Sequence, residues 1–248
     1  MGRPRPLAGC LSQAAAGAFF RQAPSRPWYL LLLALLGWGC RSAAVDHPLP
    51  AAWAELTQPV APFAALYRLT CCGQRHLPTV VRSAGETLSV SVSVPPGGVA
   101  WEGWFDAAGA VARARGERCL SKLPTGRVAL PGGAVLPIEA PLWAALLAGR
   151  LPPGMAPVAG RPGWLEGRMG GGWLAARCTG EPARCLEVRL ADTGEPGLIV
   201  HLDRHHGRVP GRLRATAGRD RVVLELVEWG PAGELIAPAW LGWPPCPT

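Results

Sequence analysis

Residues 86–94, ETLSVSVSV, alternate apolar side chains with hydroxyls. That alternation fits a strand with one buried face and one wet face, because successive side chains on a strand point to opposite sides. A helix buries residues three and four apart and could not bury this set together. The same alternation recurs along the chain from Phe63. VAWEGWFD (99–106), AVARARGERCL (110–120), and RVAL and AVLPI on either side of a PGG turn (127–138) read as strands. So do PGWLEGRM (162–169), GWLAARC (172–178), RCLEVRLAD (184–192), GLIVHLD (197–203), RVPGRLRATA (208–217), DRVVLELVEWG (220–230) and a short ELIA (234–237). Short turns rich in Gly and Pro join several of them, so sequence neighbours pair as antiparallel hairpins in a meander. The expected class is mainly β.

One segment breaks the alternation. IEAPLWAALLAGRLPPG (138–154) sets Leu142, Leu146 and Leu147 at helical spacing beside Trp143. Pro141 stands near its start, Gly149 where a helix would stop, and Pro152–Pro153 beyond. These signals predict a helix of roughly ten residues, apolar on most of its surface. Such a helix must be buried or must face something greasy.

The N-terminal stretch carries a different signal. WYLLLLALLGWGC (28–40) is too short to span a bilayer, which takes about 20 apolar residues. It has the length of the apolar region of a secretory signal, and the residues before it hold Arg3, Arg5, Arg21 and Arg26 with no acid. Its end resembles a bacterial lipobox: Gly39 and Cys40 fit, Gly37 and Trp38 do not, and Leu36 is one residue out of register. We read 1–39 as a signal peptide and Cys40 as a lipidation site. Ordinary cleaved secretion and an uncleaved anchor are the alternatives. Residues 40–62, rich in Ala and Pro with one helical turn at AAWAEL, read as a tether, and 63–248 as a single domain.

Cysteine usage agrees with export. Beyond Cys40 stand six cysteines: Cys71, Cys72, Cys119, Cys178, Cys185 and Cys246. An even set in an oxidising compartment points to disulfides, but six allow 15 pairings and sequence does not choose among them. Cys178 and Cys185 form the locally favoured candidate pair, near the two ends of the short loop of a predicted hairpin; the alternative is that both are small core residues. Charge excludes one class of partner. Residues 1–40 hold four of the 25 basic residues and none of the 17 acidic ones, so the remainder is 21 against 17. The arginines are scattered, with no basic stripe interleaved with aromatics, and nucleic acid is not the expected partner.

The order of these features resembles the outer-membrane lipoprotein-sorting superfamily, the LolA- and LolB-like carriers. The shared run is an apolar helix with Leu146, Leu147 and Gly149, a proline loop at Pro152 or Pro153, then Trp164, Leu165 and Gly167, within a resemblance that covers 63–240. It implies a strongly curved, incomplete antiparallel barrel of about eleven strands. An inserted helix plugs it over an apolar cavity that shields acyl chains. On that resemblance Leu142, Trp143, Leu146, Leu147 and Trp164 are the lipid-cavity candidates.

Other chemistry finds less support. HLDRHH (201–206) gathers His201, Asp203, His205 and His206, but they read as a strand running into a solvated turn. Cys71, Cys72 and His76 would need a fourth ligand from afar to hold zinc. Ser121 and Lys122 are strand neighbours and point to opposite faces. Glu102 and Asp106 share a strand face, which is common on solvated strands. Trp101 and Trp104 fall on opposite faces, so a one-sided sheet cannot bury both. No metal, no cofactor and no catalysis are expected. The expected protein is a lipid-anchored lipoprotein of the cell envelope facing the periplasm, at the outer membrane, with acyl chains or lipoprotein cargo as its partner. The alternative is a structural or assembly lipoprotein that binds another envelope protein.

Overall fold

The computed structural model describes residues 51–94, 98–123, 127–130, 135–169, 172–191 and 197–247. The signal peptide, Cys40 and the tether as far as residue 50 lie outside the described residues.

Most of the alternating segments become strands. In β1 (Phe63–Cys71) the buried side chains are Phe63, Ala65, Tyr67, Leu69 and Cys71. β2 (Gln74–Ala84) buries Leu77, Thr79, Val81 and Ser83, and β3 (Thr87–Ser93) buries Leu88, Val90 and Val92. β4 (Val99–Asp106), β5 (Gly109–Ala114) and β6 (Ser121–Lys122) follow, and a separate hairpin pairs β7 (Val128–Ala129) with β8 (Val135–Leu136). A helix occupies Ala140–Leu147. The second half runs through β9 (Ala156–Pro157), β10 (Trp164–Met169), β11 (Gly172–Thr179), β12 (Arg184–Ala191), β13 (Leu198–Asp203), β14 (Arg212–Ala217) and β15 (Asp220–Pro231).

Thirteen strands form one open sheet in the order β6-β5-β4-β3-β2-β1-β15-β14-β13-β12-β11-β10-β9. The chain starts in the middle and walks out hairpin by hairpin to the β6 edge. It then crosses to the opposite edge at β9 and walks back, until β15 pairs antiparallel with β1. The meander expected from short turns is thus two meanders joined by one crossover. The β7–β8 hairpin and the helix both belong to that crossover, which has to pass over a face of the sheet.

The sheet bends around what crosses it. Leu142, Trp143, Ala144, Ala145, Leu146 and Leu147 are consecutive and all buried. Six helical residues go more than once around the axis. A helix resting on a flat sheet would leave its outer side wet. On one side the helix packs on β3. At its other end Gly149 abuts Arg208, in the loop between β13 and β14. The inward side chains of both meanders and the helix share one core.

Three local expectations change. ELIA (234–237) is not a strand: after Pro231 the chain leaves the sheet and Ile236 is 84 % exposed. β5 ends at Ala114, and Gly116 turns the chain at φ +82° toward Cys119. The tether does not run to residue 62. Leu56, in a 3-10 turn at Glu55–Thr57, is fully buried in the main core and Trp53 packs against it, so burial holds this stretch to the domain.

The C-terminal tail resolves the two tryptophans. Trp101 packs on the main core, while Trp104 faces the other way and joins Leu120 and Trp240 in a second, smaller core. A disulfide between Cys119 and Cys246 pins the tail there. Leu120 N–H donates to the Pro244 carbonyl at 2.8 Å, and Cys246 N–H donates to the Leu120 carbonyl at 2.9 Å. The Arg113 guanidinium lies 5.6 Å from the Trp240 ring and 5.2 Å from Trp243.

Candidate functional site

The helix on the concave face is set by its ends. Glu139 is extended at the N-cap, and Pro141 occupies the first turn, where a missing N–H costs nothing. At the C-terminus Arg150 N–H donates to the Ala145 carbonyl (2.7 Å) and Gly149 N–H donates to the Leu146 carbonyl (3.1 Å). This is a Schellman stop, and it needs a left-handed residue. Gly149 has φ +66°, and a Cβ there would lie 2.1 Å from the Arg208 carbonyl oxygen. Only glycine fits both demands.

Leu142, Trp143, Leu146 and Leu147 are brought together here and are shielded from water in the main core. Trp164 is not among them. Leu165 and Gly167 take the inward positions of β10, so Trp164 points outward and its ring lies 5.4 Å from the Arg189 guanidinium. The strand's own parity overrides the motif that nominated it. Trp173 is likewise outward, 51 % exposed, with Arg168 over its ring.

A latch holds the C-terminal end of the helix, formed by residues that the sequence did not single out. Arg150 donates to the Glu55 carbonyl oxygen, and Arg208 pairs with the Glu55 carboxylate. Leu151 N–H donates to the Leu56 carbonyl at 2.7 Å. The segment arriving from the N-terminus is therefore tied both to the residues after the helix and to the β13–β14 loop. Beside the latch a groove of about 370 Å³ is lined by Val60, Ala148, Arg150, Arg208 and the stacked rings of Phe63 and Trp229, whose centroids lie 4.2 Å apart.

The other candidates have separate partners. Asp203 pairs with Arg214 at 3.0 Å, and His201 stands 3.9 Å from Glu187. His205 Nε2 lies 2.9 Å from the Cys185 carbonyl. Burial lowers the His205 pKa, and because a carbonyl only accepts, this nitrogen is the donor of the contact. Glu102 pairs with Arg113, and Asp106 accepts from the Trp104 indole at 2.8 Å. Burial and the adjacent Cys72 push the Cys71 thiol up to about 12, the reverse of an activated nucleophile.

Cys178 and Cys185 face each other across β11 and β12, as the predicted hairpin requires. Their bridge is not formed in this structure. Both are buried thiols with sulfurs 2.7 Å apart, and among the described residues a disulfide joins Cys119 to Cys246 instead. Contact with Cys178 and burial both raise the Cys185 pKa. In exported protein the expected state is a closed bridge, stabilising by about 2–3 kcal/mol for so short a loop. Peptide mapping without reductant should recover the two as one linked pair, and two alkylated thiols would contradict this.

A LolA superfamily protein from Nitrosomonas europaea is similar in structure, at 12 % identity and a TM-score of 0.44, over 74 % of this chain and 92 % of that one. No protein-family model and no curated protein sequence matches the chain.

Proposed function

We propose that this chain is a membrane-anchored bacterial lipoprotein that binds acyl chains, or a lipidated partner through its acyl chains, in the trough now filled by the helix. Anchoring through Cys40 and an envelope location facing the periplasm, at the outer membrane, belong to this proposal, as does binding without covalent catalysis. One observation carries it: an apolar helix, buried from Leu142 to Leu147, sits in the crossover rather than in the sheet. Moving it breaks no strand pairing and would leave a mostly apolar concave face. Acyl chains would replace its contacts at about 25 cal/mol per Å² of apolar area removed from water.

The latch sets the cost of opening. A ligand that needs the helix displaced binds with its affinity reduced by the fraction of open molecules. Glu55→Ala removes the Arg208 ion pair and favours the open form. A fluorescent fatty-acid probe should titrate the wild type to saturation and bind Glu55→Ala several-fold more tightly. Equal affinities would remove the latch from the mechanism. A second reading, a scaffold that binds another envelope protein, is favoured by the filled state of the trough, and absence of saturable binding in both proteins would select it.

A further inference from the structure

The concave face is not uniformly apolar. On β1 and β2 three inward side chains are polar: Tyr67, with Thr79 opposite it in register, and Ser83 two inward positions further along β2. Thr79 is locally satisfied, since its hydroxyl donates to the Leu77 carbonyl at 3.1 Å. Tyr67 is not. Its side chain is 1 % exposed, and its hydroxyl has no hydrogen-bond partner among the described residues. A buried phenol usually finds a partner, because losing water without replacing it is costly. Phenylalanine would fill nearly the same volume at no such cost.

We propose that the Tyr67 hydroxyl is a ligand-binding donor that reads the carbonyl oxygen of a bound acyl group, so that the trough takes acyl esters or amides in preference to bare hydrocarbon. The inference rests on the acyl-binding function proposed above and names the polar part of that ligand. Geometry and chemistry agree. Tyr67 lies on the same inward face as Phe63, Ala65 and Leu69, so a chain packed along β1 meets it. A carbonyl only accepts, and a phenol can donate. Burial pushes the Tyr67 pKa upward, so the hydroxyl keeps its proton throughout the physiological range. A free carboxylate is the poorer fit, because burying an unpaired charge costs far more than one hydrogen bond returns.

The test uses three probes with the same fluorophore and chain length: an acyl methyl ester, a free fatty acid and an alkyl chain without a carbonyl. The full-length wild type should bind the ester more tightly than the alkyl probe. Tyr67→Phe should lose roughly three- to tenfold in ester affinity, keep its alkyl affinity, and melt no lower than the wild type. Ester affinity unchanged in Tyr67→Phe, or a wild type that does not distinguish ester from alkyl, overturns this inference and leaves the acyl-binding reading standing. A wild type that prefers the free acid to the ester overturns the choice of a neutral carbonyl. No saturable binding of any probe overturns both readings.

Discussion

Leu146→Glu is expected to abolish or nearly abolish the folded state. Leu146 is fully buried within the core shared by the helix and both meanders. Losing such a leucine costs about 2–5 kcal/mol. Placing a carboxyl group in the same space adds about 2 kcal/mol or more, even if it takes up a proton. A domain stable by about 5–15 kcal/mol then has little left. Urea melts followed by far-UV circular dichroism should show a collapsed midpoint for Leu146→Glu. The exposed control Trp173→Ala should stay close to wild type. A midpoint for Leu146→Glu within experimental error of wild type would show that the helix is not part of the core.

The second large effect is expected at the tail. The Cys119–Cys246 bridge closes a loop spanning 127 residues. Restriction of the unfolded chain by so long a loop corresponds to about 4–5 kcal/mol. The double variant Cys119→Ser/Cys246→Ser should therefore melt well below wild type. Its tail should also become sensitive to protease after Pro231, because only the Trp104–Leu120–Trp240 packing, the two backbone hydrogen bonds with Leu120 and the Arg113 ring contacts would then hold it. The main core does not contain the tail, so circular dichroism at low temperature should keep its β signature. Equal melting of the two proteins would contradict the assignment.

Most strands were legible because alternation is local. ETLSVSVSV, VAWEGWFD and DRVVLELVEWG each carry their own face assignment, and the helix announced its stop with Gly149. What the sequence hid is long-range. Nothing near Phe63 says that β1 will pair with β15, since register between distant strands is set by the whole sheet. The Glu55–Arg208 pair and the second core under the tail are hidden for the same reason. Cys178 and Cys185 could be placed opposite each other because a hairpin joins them, whereas Cys119 and Cys246 could not. Two misses were avoidable. Trp164 adjoins Leu165, and one of the two must face out. In FAALYRLTC the same alternation puts Tyr67 on the buried face, where a hydroxyl asks for a partner.

The central claim is that the helix Ala140–Leu147 is a displaceable plug. Hydrogen exchange read by mass spectrometry, with and without a saturating palmitoylated peptide, tests it most directly. Displacement predicts that amides of 142–151 lose protection when the peptide binds. Amides of β1, β14 and β15 should keep theirs, because no strand pairing breaks. Protection of 142–151 that stays unchanged at saturating peptide would contradict the account.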